Sequence, residues 1–353
     1  MPHAPSDTTT LTILSEELAR VILDDVNNPD ISTNHLVCKA TSFIDCTLSR
    51  THTIEGLSIE TAPILQSVLN HAPCEHGRRY IACAIIWCGP NEQKLVELAN
   101  DLVKFLLLPF FRASKNISPP TSKTSSPALL TTQQVLDTIE HNTPASFRPL
   151  LETRQNEECA IIRKLPNSSL GTRSAHITKP SFAKEDDSDD TNFAIHRPFQ
   201  ATWNIIHHYA NISLDVLQDR IDSPENGILM SIDMHRAFEK FEWCLIPTGQ
   251  PSEYTVKWLT ELPLAIFVLL GRPVVTFADD SSNSIPLPKP EYLALHAAIA
   301  HILHETRLGE YFETIAAYFF PNSSTIPWKK FNDTDFLLRA ALMNHNPHIH
   351  NNV

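Results

Sequence analysis

The sequence predicts an α+β protein, mostly helical, with short strands gathered in the middle of the chain. Three observations support this. Apolar residues recur at helical spacing over long stretches towards both ends of the chain. Only 8 glycines stand in 353 residues, against 26 prolines gathered in connections such as Ser118-Pro-Pro120 and Ile285-Pro-Leu-Pro-Lys-Pro290. That balance describes helices punctuated by stiff loops rather than a loop-dominated β protein. Short β-prone runs fall between Cys159 and Trp258.

The N-terminal stretch sets Leu11, Ile13, Leu14, Leu18, Val21 and Ile22 at helical intervals. Ser58 to His71 repeats the pattern, and Arg78 to Cys88 is an apolar helix closed by Gly89-Pro90. Asn91 is a good N-cap for a helix from Glu92 to Phe111, because its side chain can accept from an orphan backbone N–H. Residues 1–112 thus predict a helical N-terminal domain, all-helical from residue 8. The Ser/Thr/Pro-rich stretch 113–130 predicts a linker. Residues 131–260 predict a core with a helical insertion. Thr131 or Thr132 caps its first helix, Cys159 to Ile162 and Ser174 to Thr178 form a hairpin, and helices follow from Phe193 to His208 and Ser213 to Ile221. Tyr254 to Trp258 reads as a further strand. A helical C-terminal extension, 261–343, includes a helix opened by Pro290 and running to Thr306, with another from Leu308 to Phe320; proline suits a first turn, where its missing N–H is an orphan anyway. The tail 344–353 predicts disorder.

Composition bounds the function. The formal net charge is −12, which argues against a basic phosphate-binding surface over the whole molecule, though a local cleft can differ. The 7 cysteines are odd in number and include no Cys-x-x-Cys pair, so neither a disulfide framework nor a four-cysteine knuckle is expected. Met1 to Asp7 is polar, with no basic start leading into an apolar run, and the longest apolar runs, Val103 to Phe111 and Leu262 to Leu270, are too short to span a bilayer. The expectation is an intracellular protein, cytoplasmic or nuclear, with reduced thiols and no membrane association.

Several polar clusters read as scaffold. Glu185 to Asp190 lacks the ligand spacing of a calcium loop. His207 and His208 are adjacent and cannot share one helical face. His301 and His304 could share a face, but no His-Glu-x-x-His arrangement accompanies them.

Two stretches carry more. Arg173-Ser-Ala-His-Ile-Thr-Lys-Pro180 places a histidine at the end of a β-prone run. Ser223-Pro-Glu-Asn-Gly-Ile-Leu-Met-Ser-Ile-Asp-Met-His-Arg-Ala-Phe-Glu239 places an asparagine beside a glycine, then an apolar run, then a histidine opening a helix. Hydrolysing a phosphodiester needs a base for water, and a neutral histidine can serve. A divalent cation can neutralise charge developing on the phosphoryl oxygens.

In this order, His176, Asn226 and His235 resemble the defining trio of HNH endonucleases. Arg154 and Cys159 upstream, and Pro286 to Pro290 with Leu293 to Ala298 downstream, resemble HNH-domain proteins of fungi. The resemblance covers roughly residues 150–320. It implies a small ββα-metal core, with His176 as general base, Asn226 as positioning residue and His235 as metal ligand. It also implies one divalent ion per site (Mg2+, Mn2+ or Zn2+) and DNA as partner. Many such nucleases carry a metal-binding aspartate just before the first histidine, and that position here is Ala175. Asp233 or Glu239 would have to supply the oxygen ligand. After Cys159, where relatives often show Thr-Gly, this chain has Ile-Ile-Arg-Lys.

Two function classes follow. One is a metal-dependent endonuclease cleaving DNA. The other is a non-cleaving module that keeps the fold and binds nucleic acid or protein, and Ala175 and the acidic charge favour it. A third, a helical adaptor, would use the N-terminal helices to meet a protein partner.

Overall fold

The computed structural model describes residues 16–46, 51–54, 57–115, 147–162, 171–178, 193–213, 220–261, 274–281 and 283–319. The expected helix from Thr131, the acidic run 185–190, most of the helix expected from Ser213, the apolar run from Leu264 and the tail lie outside these residues.

At the N-terminal end α1 (Glu16–Asn27) and α2 (Thr33–Asp45) pack on α4 (Glu75–Cys88). Arg79 of α4 closes the junction, donating to the carbonyls of Asp25, Val26, Asn28 and Ile31. It thereby satisfies groups that the end of α1 leaves orphaned. The expectation of an all-helical segment is corrected here. Strands β1 (Thr51–Ile54) and β2 (Leu57–Glu60) pair antiparallel, so α3 begins only at Thr61 and runs to Asn70. Pro63 lies in the first turn of α3, where no hydrogen bond is lost. Asn91 does cap α5 (Glu92–Leu102), its Oδ1 accepting from Lys94 N at 3.1 Å. One turn of π-helix, Val103–Leu107, joins α5 to α6 (Leu108–Lys115).

The middle of the chain contributes α7 (Phe147–Arg154), β3 (Thr172–His176), α8 (Phe193–Ala210), β4 (Gly227–Ser231) and α9 (Ile232–Glu239). A three-stranded antiparallel sheet follows, β5 (Trp243–Pro247), β6 (Glu253–Trp258) and β7 (Val274–Thr276), in that spatial order. Pro290 opens α10 (Pro290–Glu305), and α11 (Leu308–Phe319) comes next.

One apolar cluster runs through the described residues from Leu18 to Phe312. Helix α8 is keyed into it from the N-terminal helices. A Cβ on Gly77 of α4 would overlap the carbonyl of Tyr209, so only glycine lets the two backbones approach this closely. The fully buried Tyr209 hydroxyl donates to Val68 O at 3.0 Å. Among the described residues no helix is long and apolar enough to cross a membrane, and the seven cysteines are free thiols.

Candidate functional site

The hairpin that carries His176 is not the one its local sequence suggests. β3 pairs antiparallel with β4, with His176 opposite Gly227, Ala175 opposite Ile228 and Thr172 opposite Ser231. The expected partner, Cys159 to Ile162, forms bends, with Cys159 Sγ accepting from the N–H groups of Ile161 and Ile162. Its place beside β3 is taken by β4, whose other edge is met by a side chain. The Gln155 amide donates to Leu229 O at 2.8 Å and accepts from Leu229 N at 2.9 Å, as a neighbouring strand would. Ala160 N adds a further bond to Leu229 O.

Residues opposite each other in an antiparallel pair project to the same side, so the two faces can be separated. On one, His176, Gly227 and Leu229 meet α7. Phe147, Leu151 and Leu229 form their own small apolar cluster, and the His176 ring lies flat on Phe147, centroids 4.1 Å apart and planes 3° from parallel. On the other face, Ala175, Ile228 and Met230 enter the main core, to which Met234 and Phe238 of α9 also belong.

His176 Nε2 stands 2.9 Å from Asp222 Oδ1. The histidine side chain is 10% exposed and the aspartate 24%. Asn226 is fully buried and ends the 3-10 turn Pro224–Asn226. Its Oδ1 accepts from Thr178 N and Thr178 Oγ1, and its Nδ2 donates to Thr178 O and Ile221 O, each at 2.8 Å. All four hydrogen-bonding positions of the amide are thus used. Gly227, which beside an asparagine reads as a turn residue, is extended (φ −132°, ψ 147°) and opens β4.

Arg154 underlies this arrangement. Fully buried at the end of α7, it donates from Nη1 to Pro224 O and Pro286 O at 2.8 Å. From Nη2 it reaches Gly227 O at 2.7 Å and Gln155 Oε1 at 3.0 Å. Burial lowers its pKa to about 10, with Asp279 acting in the opposite sense, so the guanidinium stays charged at neutral pH. The upstream arginine thus ties the downstream proline run, through Pro286 O, to the carbonyls of Pro224 and Gly227 on either side of Asn226. Nearby, Glu225 receives Arg220 at 3.0 Å and Lys289 at 3.4 Å.

His235 lies in the first turns of α9 and is buried, its Nδ1 3.5 Å from Glu239 Oε2. Asp233, two residues earlier, is exposed, as expected of positions that face apart on a helix. The structure therefore brings His176 and Asn226 together through the hairpin, and sets His235 beside Glu239 rather than beside Asp233. Among the described residues no group of three or more His, Cys, Asp or Glu side chains could hold a metal ion. The position preceding His176 supplies only a methyl group to the core. Among the described residues the acid–base side chains placed together at this helix are His235 and Glu239, and no third such group joins them.

Three other histidines pack against aromatic rings. His296 stacks on Phe238 at 3.7 Å and its Nε2 meets Phe238 O at 3.1 Å. His301 Nδ1 meets Ala297 O at 2.8 Å and its ring stacks on His71. His208 stacks on Tyr80.

Asp222, Phe147 and the bracing role of Arg154 are the site features that residue-by-residue reading misses. Glu239 was within its reach as an alternative oxygen ligand, and its i, i+4 spacing from His235 supports that pairing.

The comparisons with known proteins bear on the same region. No curated protein and no solved structure matches the chain. Residues 159–246, which hold β3, β4 and α9, match the model of a family described as HNH endonuclease.

Proposed function

We propose that the hairpin and helix within residues 159–246 form an HNH-type nuclease site, a ββα unit that cleaves the phosphodiester backbone of DNA with His176 as general base. The observation that carries this reading is the setting of His176, on the last residue of β3 inside the matched stretch, held flat by Phe147 and edge-on by Asp222. A histidine fixed in this way can take a proton from water while the water oxygen bonds to phosphorus and the P–O3′ bond breaks, the leaving oxygen taking up a proton in turn. The described residues assemble no complete ion cage, so no step is routed through an ion here, and His235, beside Glu239, keeps the ligand role that the family resemblance implies.

A second reading has its own support: a non-cleaving module that keeps the fold to bind nucleic acid or protein. Ala175, fully buried in the main core, favours it, as does the net charge of −12.

Nicking of supercoiled plasmid by the full chain separates the two. The protein would be assayed in magnesium, manganese, zinc or chelator, alongside His176→Ala and His235→Ala. The nuclease reading expects nicking that His176→Ala reduces by roughly 100-fold or more. Absence of nicking under every condition, or full nicking by His176→Ala, moves the conclusion to the binding module.

A further inference from the structure

We infer that Asp222 is the positioning residue for the His176 base, with Asn226, the positioning residue that the resemblance implies, fixing the two segments that carry the pair. The inference rests on the nuclease reading for its catalytic consequence, and on geometry alone for the pairing itself.

His176 and Asp222 are 46 residues apart and come from different segments, the end of β3 and the turn before the 3-10 helix. Their meeting needs both segments fixed to a common point, and Asn226 is that point. Its Oδ1 grips the N–H and hydroxyl of Thr178, two residues beyond His176. Its Nδ2 grips the carbonyl of Ile221, the residue before Asp222, as well as the Thr178 carbonyl. The main chain repeats the link, with Ile177 N donating to Asn226 O at 2.9 Å. Two donors and two acceptors on one short side chain are required, and of the common side chains only an amide provides them. A carboxylate at this position would keep the Thr178 donors and lose both carbonyls.

With the segments fixed, the pair chooses a tautomer. An ionised carboxylate only accepts, so the proton between the groups belongs to Nε2, and the lone pair of the neutral ring sits on Nδ1. Phe147, stacked 3° from parallel, blocks tilting of the ring out of this plane. Glu225, the neighbouring carboxylate, faces Arg220 and Lys289 instead. Asp222 therefore stands towards His176 as a carboxylate stands towards a metal-bound or catalytic histidine elsewhere: it sets orientation and tautomer while another atom does the chemistry.

The test uses the full chain and two independent readouts. Long-range 1H–15N spectra of the histidine rings, with His176 assigned through His176→Gln, report the tautomer directly. The Nε2–H form in the wild type and its loss of dominance in Asp222→Asn are expected. A wild-type Nδ1–H form, or spectra unchanged by Asp222→Asn, would overturn the inference whatever the enzyme does. Plasmid nicking gives the second readout. Asp222→Asn should lower kcat roughly 10- to 100-fold with KM for plasmid within about twofold, and Asp222→Glu should recover part of the loss. Asp222→Asn with wild-type kcat, beside an inactive His176→Ala, would overturn the positioning role and leave the nuclease reading intact. A wild type that nicks nothing, together with the expected spectra, would sink the nuclease reading and leave the His176–Asp222 pairing standing. Near-UV circular dichroism of each variant guards against loss of fold.

Discussion

Gly227 and Phe147 are in contact so closely that a Cβ on the glycine would lie 2.6 Å from Cζ of the ring. Leu151 Cδ1 would be 2.8 Å away. Phe147 and Leu151 are fully buried, and the same phenyl ring carries His176 on its face. Glycine is required here for space, since its backbone is ordinary extended strand.

Gly227→Ala should therefore destabilise the protein by about 1–3 kcal/mol, the usual cost of forcing a methyl group into a packed site. Urea unfolding followed by tryptophan fluorescence measures it. Adding Phe147→Leu should return part of the loss, because the clash is with the far edge of the ring, while removing the stacking surface for His176. Wild-type stability in Gly227→Ala would show that α7 moves freely away from the hairpin.

Arg154→Met would leave the carbonyls of Pro224, Gly227 and Pro286 without their donor. Buried acceptors stripped of a charged partner are costly, and a loss of about 3–5 kcal/mol is expected. The shift in urea midpoint gives the magnitude. Arg154→Lys should recover little, since one ammonium lacks the fork that reaches separate carbonyls.

Asn91→Ala removes the bond to Lys94 N at the start of α5 and should cost about 1 kcal/mol. Asn91→Ser should cost less than half of that. Thermal unfolding of the three proteins at one pH makes the comparison.

Stability should fall on acidification below neutrality. His208 is held neutral, its pKa lowered to about 4 from 6.5 by burial and by the neighbouring His207 and His76. His76 and His301 are shifted in the same direction, chiefly by burial. A base with a lowered folded pKa binds more protons when unfolded, so its contribution is whole above pH 6.5 and drains away as pH falls towards 4. The thermal midpoint measured between about pH 7.5 and 4.5 should decline, and less steeply in His208→Gln. A midpoint independent of pH, or an equal slope in the variant, would refute this assignment.

Much of the helical framework was legible because periodicity and capping are local. Asn91, Pro290 and the spacing from Leu95 to Leu106 mark their helices without reference to anything distant. The order of His176, Asn226 and His235 was legible for a similar reason. What local reading could not supply was pairing over distance. It assigned the His176 strand an upstream partner at Cys159 to Ile162, where bends stand, because nothing near Cys159 reveals that β4, far downstream, takes that place. Nor could it say why a glycine stands at 227, since the reason is a phenyl ring far upstream, on Phe147. Asp222 carried no signal at all; its meaning comes only from the fold of Asn226 around it.

The separation of β3 from β4 has a bearing on how the chain folds. Between the two strands lies α8, and α8 is seated on the N-terminal helices through Gly77 and Tyr209. The hairpin is thus the mouth of a long loop whose closure entropy falls once the loop's middle is docked. Helices α3 and α4 act in this sense as an assembly jig. In refolding from urea, burial of the tryptophan on α8, Trp203, should precede the formation of β3 and β4, and removal of residues 1–112 should leave the strands without the anchor that brings them into register.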